Sequence, residues 1–92
     1  RDLDNKPRPT RQITPIYPPA LKSQGIEGRV LIRFDIDKQG NVIDATAKKS
    51  DHPAFAVYAV DAVRKWKFEP GMQNGEPVPF TMIAPIVFSL SN

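Results

Sequence analysis

The segment "FTMIAPIVFSL", residues 80–90, restricts what this chain can fold into more than any other. Its even positions, Phe80, Met82, Ala84, Ile86, Phe88 and Leu90, are all apolar. That is the period of a strand with one face in a core. Pro85 stands in the odd set. Proline has no N–H to give a sheet ladder, so it is confined largely to edge strands, first residues and bulges. Along a strand, parity fixes both the side-chain face and the direction of the backbone polar groups. The even set is therefore expected to face the core and bond to an inner neighbour, while the odd set turns its main chain outward. Pro85 then costs the internal ladder nothing, and the segment is an edge strand.

The rest of the chain supplies that inner neighbour. Val30, Ile32, Phe34 and Ile36 are apolar, with Arg29, Arg33, Asp35 and Asp37 between them and Leu31 as the exception. This spacing predicts a half-buried strand. "DKQGN" turns the chain, with Gly40 free to adopt a positive φ. Ile43, Ala45 and Ala47 then alternate with Asp44, Thr46 and Lys48, which completes a hairpin. From Ser50 the spacing becomes helical. Phe55, Ala59, Ala62, Val63 and Trp66 fall on one stripe. Ser50 or Asp51 is the expected cap, Pro53 fits the first turn, and Pro70 with Gly71 ends the helix. A polar loop, "MQNGEP", leads to the last strand. Upstream, "YPPALKSQG" predicts a short helix over 18–24, started by Pro18 and Pro19 and closed by Gly25.

A helical crossover makes the second and third strands parallel if they share a sheet. Both run antiparallel to the first if it lies between them. The expected fold class is α+β: a three-stranded antiparallel-type sheet, order 2-1-3, with two helices packed on one face. Residues 1–12, rich in proline and without periodicity, are expected to be a flexible linker ahead of one domain over 13–92.

Composition narrows the function. The net charge of +3 suggests nucleic acid at first sight. Arg1, Lys6, Arg8 and Arg11 against Asp2 and Asp4 place +2 of it in the first twelve residues. The remainder is nearly balanced, which argues against a phosphate-binding surface. There is no cysteine, so neither a disulfide framework nor a thiol nucleophile is available. His52 is the only histidine and sits at a helix start, where capping or solvent exposure suits it better than catalysis. "DIDKQG" imitates the start of a calcium loop through Asp35, Asp37 and Gly40. Its twelfth position, however, is Thr46 where a bidentate Glu is needed. It reads as a turn. No metal, cofactor or catalytic residue is expected, and the chain reads as a binding module, not an enzyme.

Three elements in order carry a family resemblance. "PIYPPALKSQGIEGRVLIRFDIDKQGNV" has a Tyr-Pro pair leading through a short helix into Ile-x-Gly-x-Val. "AVDAVRKWKFEPG" ends in Trp-x-Phe-x-Pro, and "PIVFSL" closes the chain. Over residues 13–91 this resembles the C-terminal domain of TonB-type energy transducers. The resemblance implies a periplasmic domain of a Gram-negative protein whose single N-terminal span associates with a proton-driven ExbB/ExbD complex. The partner it implies is the Ton box of an outer-membrane TonB-dependent receptor for siderophores, haem or vitamin B12. In the family that segment pairs with the last strand and touches the residues before Tyr-Pro. The implied contacts are Thr14, Pro15, Ile16 and Tyr17 with Thr81, Ile83, Pro85, Val87 and Ser89. Thr14 stands where the family often has glutamine. Little chain follows Leu90 from which to add a further strand. A second copy could occupy the same open edge and give a homodimer. Other readings are another envelope-spanning adaptor, TolA-like or from a secretion system, and a small acylphosphatase-like enzyme. The last lacks the arginine and asparagine context that phosphate chemistry needs.

Overall fold

The alternating segments pair with one another, and every other element is arranged around them. In the computed structural model, which describes residues 7–90, the chain opens with β1 (Arg8–Arg11) and α1 (Pro19–Ser23). The hairpin β2 (Gly28–Ile36) and β3 (Val42–Ser50) follows, then α2 (Pro53–Val63). Three short strands, β4 (Lys67–Glu69), β5 (Gly71–Gln73) and β6 (Glu76–Val78), lead to β7 (Phe80–Phe88). The main sheet has the order β3-β2-β7, with β2 antiparallel to both neighbours, which is the expected 2-1-3 arrangement. Val30, Ile32, Phe34 and Ile36 of β2 are buried to 1% exposure or less. They share one core with Leu21 of α1, with Phe55, Ala59 and Val63 of α2, and with Ile86 and Phe88 of β7. Leu31, Ile83 and Val87 lie exposed on the opposite face, so both helices cover the same side of the sheet.

Glycine decides two close approaches. At Gly28, the glycine of Ile-x-Gly, an added Cβ would lie 2.9 Å from both the Phe55 ring and the Asp51 Cβ, so the helix could not come so near the strand. At Gly40 the chain has φ 86°, and its carbonyl accepts a 2.9 Å bond from the Phe68 N–H. The Asp37 carboxylate closes this turn by accepting from Gln39 N and Asn41 N at 2.9 and 2.8 Å. The turn expected in place of a calcium loop is therefore held by Asp37 itself.

Several local expectations are corrected. The cap of α2 is His52, not Ser50 or Asp51: its Nδ1 accepts from Ala54 N at 3.0 Å. Ser50 Oγ instead donates to the His52 carbonyl, and the Asp51 carboxylate accepts from Arg29 N. The helix also stops at Val63, well before Pro70. Lys65 N and Trp66 N bond to the carbonyls three residues back, a tightened last turn that releases the chain into β4. Trp66 can then drop edge-on against Phe34, with ring centroids 6.0 Å apart. The loop "MQNGEP" is a hairpin, β5–β6, turning at Asn74 and Gly75 with φ 54° and 79°.

Within the stretch expected to be a linker, residues 8–11 form β1, which pairs antiparallel with β4. Arg8 also forms an exposed ion pair with Glu69 at 2.9 Å, a contact of small energetic weight in water. Residues 1–6 and 91–92 lie outside the described residues.

Candidate functional site

The direction of the β7 backbone follows from hydrogen bonds at the far end of its partner. Arg29 N donates to the Asp51 carboxylate, and Arg29 O accepts from Asp51 N at 3.1 Å. Both polar groups of Arg29 thus point away from β7, so its pairing with Val87 carries no mutual hydrogen bonds. Register is unbroken along the nine residues from Gly28↔Phe88 to Ile36↔Phe80. The alternation therefore makes Leu31↔Pro85, Arg33↔Ile83 and Asp35↔Thr81 non-bonded pairs as well. Thr81, Ile83, Pro85 and Val87 turn their main chain to the outer edge, where no described strand meets them. The parity expected from sequence holds, and the missing N–H of Pro85 falls on the open side.

The other outer edge, that of β3, is different. Two bulges break its register, and it carries Lys48 and Lys49, devices that blunt an edge against pairing. β7 has neither a bulge nor a charged side chain along its length; Pro85 is its only interruption. Ile83 and Val87 are each 59% exposed, and Leu31, which broke the alternation of its own strand, extends the same apolar surface opposite Pro85. Leu31 is the neighbour of this edge that the sequence reading passed over, and its departure from period two was the available signal. Thr81 has its hydroxyl committed, donating to Asp35 Oδ1 at 2.6 Å. Ser89 lies just past the end of β7 and is exposed. Leu90, expected to face the helices, is 39% exposed because the strand ends at Phe88; its N–H bonds to the Glu27 carboxylate.

The segment 14–17 reaches the C-terminal end of β7 through Tyr17. The tyrosine ring meets Phe88 and Phe55 edge-on, with centroids 5.5 and 5.8 Å apart, and its hydroxyl donates to Ile26 O at 2.6 Å. Tyr17 is thus a lid over the core, half-buried and anchored. Ile16 beside it is 65% exposed, Thr14 is exposed and Pro15 half-buried. Desolvation by burial, followed by the nearby Glu27 carboxylate, raises the phenol of Tyr17 above its ordinary 10.0. A raised folded-state value means that stability is intact below that ordinary value and is lost as pH climbs through the raised one. Alkaline difference spectroscopy should therefore show a phenol titrating later than free tyrosine, and Tyr17→Phe should remove that component. Its persistence in Tyr17→Phe would place the anchored phenol elsewhere.

This arrangement can be set beside known proteins. The sequence profile described as Gram-negative bacterial TonB protein C-terminal matches residues 13–90. The chain is 36% identical over 78 residues to Protein TonB of Xanthomonas campestris, covering 84% of this chain and 35% of that protein. Against Protein TonB of Vibrio cholerae it is 36% identical over 80 residues, covering 86% and 33% respectively. The chain thus spans about a third of the length of these curated relatives. The solution NMR structure of the Pseudomonas aeruginosa TonB CTD matches the fold with a TM-score of 0.80 at 30% identity, over 97% of this chain and 91% of that one. With its three motifs, its β3-β2-β7 sheet and a profile match over most of its length, this chain belongs to the family of TonB C-terminal domains.

Proposed function

We propose that this domain is the non-enzymatic, receptor-gripping end of a periplasmic energy transducer. It takes the Ton box of an outer-membrane TonB-dependent receptor as an added strand on the outer edge of β7. Force then reaches the receptor from an inner-membrane ExbB/ExbD complex, acting through an N-terminal membrane-anchored part of the same protein, and drives uptake of siderophores, haem or vitamin B12. The observation that carries this reading is the contrast between the two sheet edges. β7 is regular over nine residues and turns Thr81, Ile83 and Val87 outward as donors, whereas β3 is bulged and lysine-bearing. Main-chain bonds would supply affinity with little demand on peptide sequence, which suits one transducer serving several receptors. Ile16, exposed next to the Tyr17 lid, gives the added strand an apolar neighbour near its end.

Titration of the isotope-labelled domain with a synthetic Ton-box peptide tests this. The largest amide shifts should fall at residues 81–89 and 14–17. Val87→Pro removes an outward donor that the internal ladder does not use, so it should weaken peptide binding by about fivefold, the worth of one main-chain bond, while leaving the spectrum of the fold intact. Shifts centred on Ala45 and Ala47 would move the docking edge to β3 and refute the proposal.

A further inference from the structure

We infer that Pro85 sets the choice between two occupants of the β7 edge, admitting a proline-free peptide and rejecting a second copy of this domain. The inference rests on the docking edge proposed above and adds a specificity device to it. An exposed, unbulged edge strand with Ile83 and Val87 standing on it is a template for pairing with any strand, including its own copy. The two occupants do not meet Pro85 equally. An incoming peptide finds the outward carbonyls of Thr81, Ile83, Pro85 and Val87 but one donor absent, so a single carbonyl of the peptide goes unpaired. The loss is the same for a parallel or an antiparallel peptide, since the gap belongs to β7.

Self-pairing of two β7 strands must follow a twofold axis, so any defect in the edge enters twice. If the axis passes at position 85, the two prolines face each other, and neither of the two bonds of that pair forms. If it passes at position 84, each Pro85 faces an Ile83 of the other copy, and one bond is missing from each of the two pairs. In either register the copy loses two main-chain bonds where the peptide loses one. The pyrrolidine rings, exposed at the edge, also meet across the seam in the first register. Specificity here comes from a repulsive element that weighs twice on the wrong partner.

The test is Pro85→Ala, with Pro85→Ser as a second variant that restores the same N–H with a different side chain. A main-chain bond is worth about 1 kcal/mol net, or roughly fivefold in an equilibrium constant. Both variants should therefore tighten a Ton-box peptide by about fivefold and self-association, followed by analytical ultracentrifugation, by about 25-fold. Adding Val87→Pro to Pro85→Ala should return the domain to monomer, which locates the new contact on β7. Self-association of both variants unchanged from wild type would overturn the inference, whatever the peptide does. Wild-type peptide shifts on β3 would instead overturn the docking edge, and those two failures are read from separate experiments.

Discussion

Trp66→Ala is expected to destabilise the domain by about 3–5 kcal/mol, the usual cost of emptying a large buried aromatic site. Trp66 is 7% exposed although it lies beyond the end of α2. Its ring stands edge-on to Phe34, the largest fully buried side chain of β2, and tilted against Phe68 of β4 at 6.3 Å. It also joins segments far apart in sequence, because its Nε1 donates to the carbonyl of Ile13 at 2.9 Å. Removing the ring opens a cavity beneath the main sheet and frees the stretch that leads to Tyr17. In a chain of this size, each kcal/mol lowers the thermal midpoint by roughly 4–8 °C, so calorimetry should show a large drop. Trp66→Phe separates the two contributions. It keeps most of the packing and loses the donor, and should cost much less than alanine. A midpoint unchanged in Trp66→Ala would mean that the ring is not part of the core.

What could be read from the sequence follows the length of each periodic signal. β2 and β7 run nine residues each, long enough for period two to fix their faces and, through Pro85, the open side of the sheet. The stripe Phe55, Ala59, Ala62, Val63 and Trp66 was legible as a buried set, and all five are buried. Its secondary structure was not, because Trp66 continues the helical spacing after the backbone has left the helix. β4, β5 and β6 have three residues each, too few to display a period. Of the β5–β6 hairpin only the Asn74-Gly75 pair was a usable signal, one that favours a tight hairpin turn. β1 has four exposed residues and three partners far along the chain, Arg8 with Glu69, Pro9 with Phe68 and Arg11 with Lys67. No local pattern announces such a pairing. The site divides along the same line. Its edge was legible from parity, while the anchoring of Tyr17 on Ile26 and Phe88 depended on tertiary contacts that no spacing encodes.

Gly40→Ala should be nearly as damaging as loss of the tryptophan, for a different reason. A Cβ at position 40 would lie 1.9 Å from the carbonyl oxygen of Phe68 and 3.0 Å from its carbon. The obstacle is backbone, so no side chain can rotate out of the way. Either the turn opens or β4 withdraws. Withdrawal breaks the bond from Phe68 N to Gly40 O and pulls Phe68, 5% exposed, away from Phe34. A side chain in the left-handed region costs about 1–2 kcal/mol by itself, and forced overpacking about 1–3 more. A loss of about 2–5 kcal/mol is expected from these together. Gly25→Ala is the matched control. Gly25 also has a positive φ, 71°, but none of the described residues lies within 4 Å of the Cβ it would gain, so only the conformational part applies. The difference between the two variants in chemical denaturation therefore measures the close approach of β4 to the β2–β3 turn. Because β1 pairs with β4, the same displacement should weaken protection of the amides in Arg8–Arg11 in hydrogen exchange, whereas Gly25→Ala leaves them protected. Equal losses in the two variants would show that Gly40 is needed for its φ alone, and that β4 does not rest on the turn.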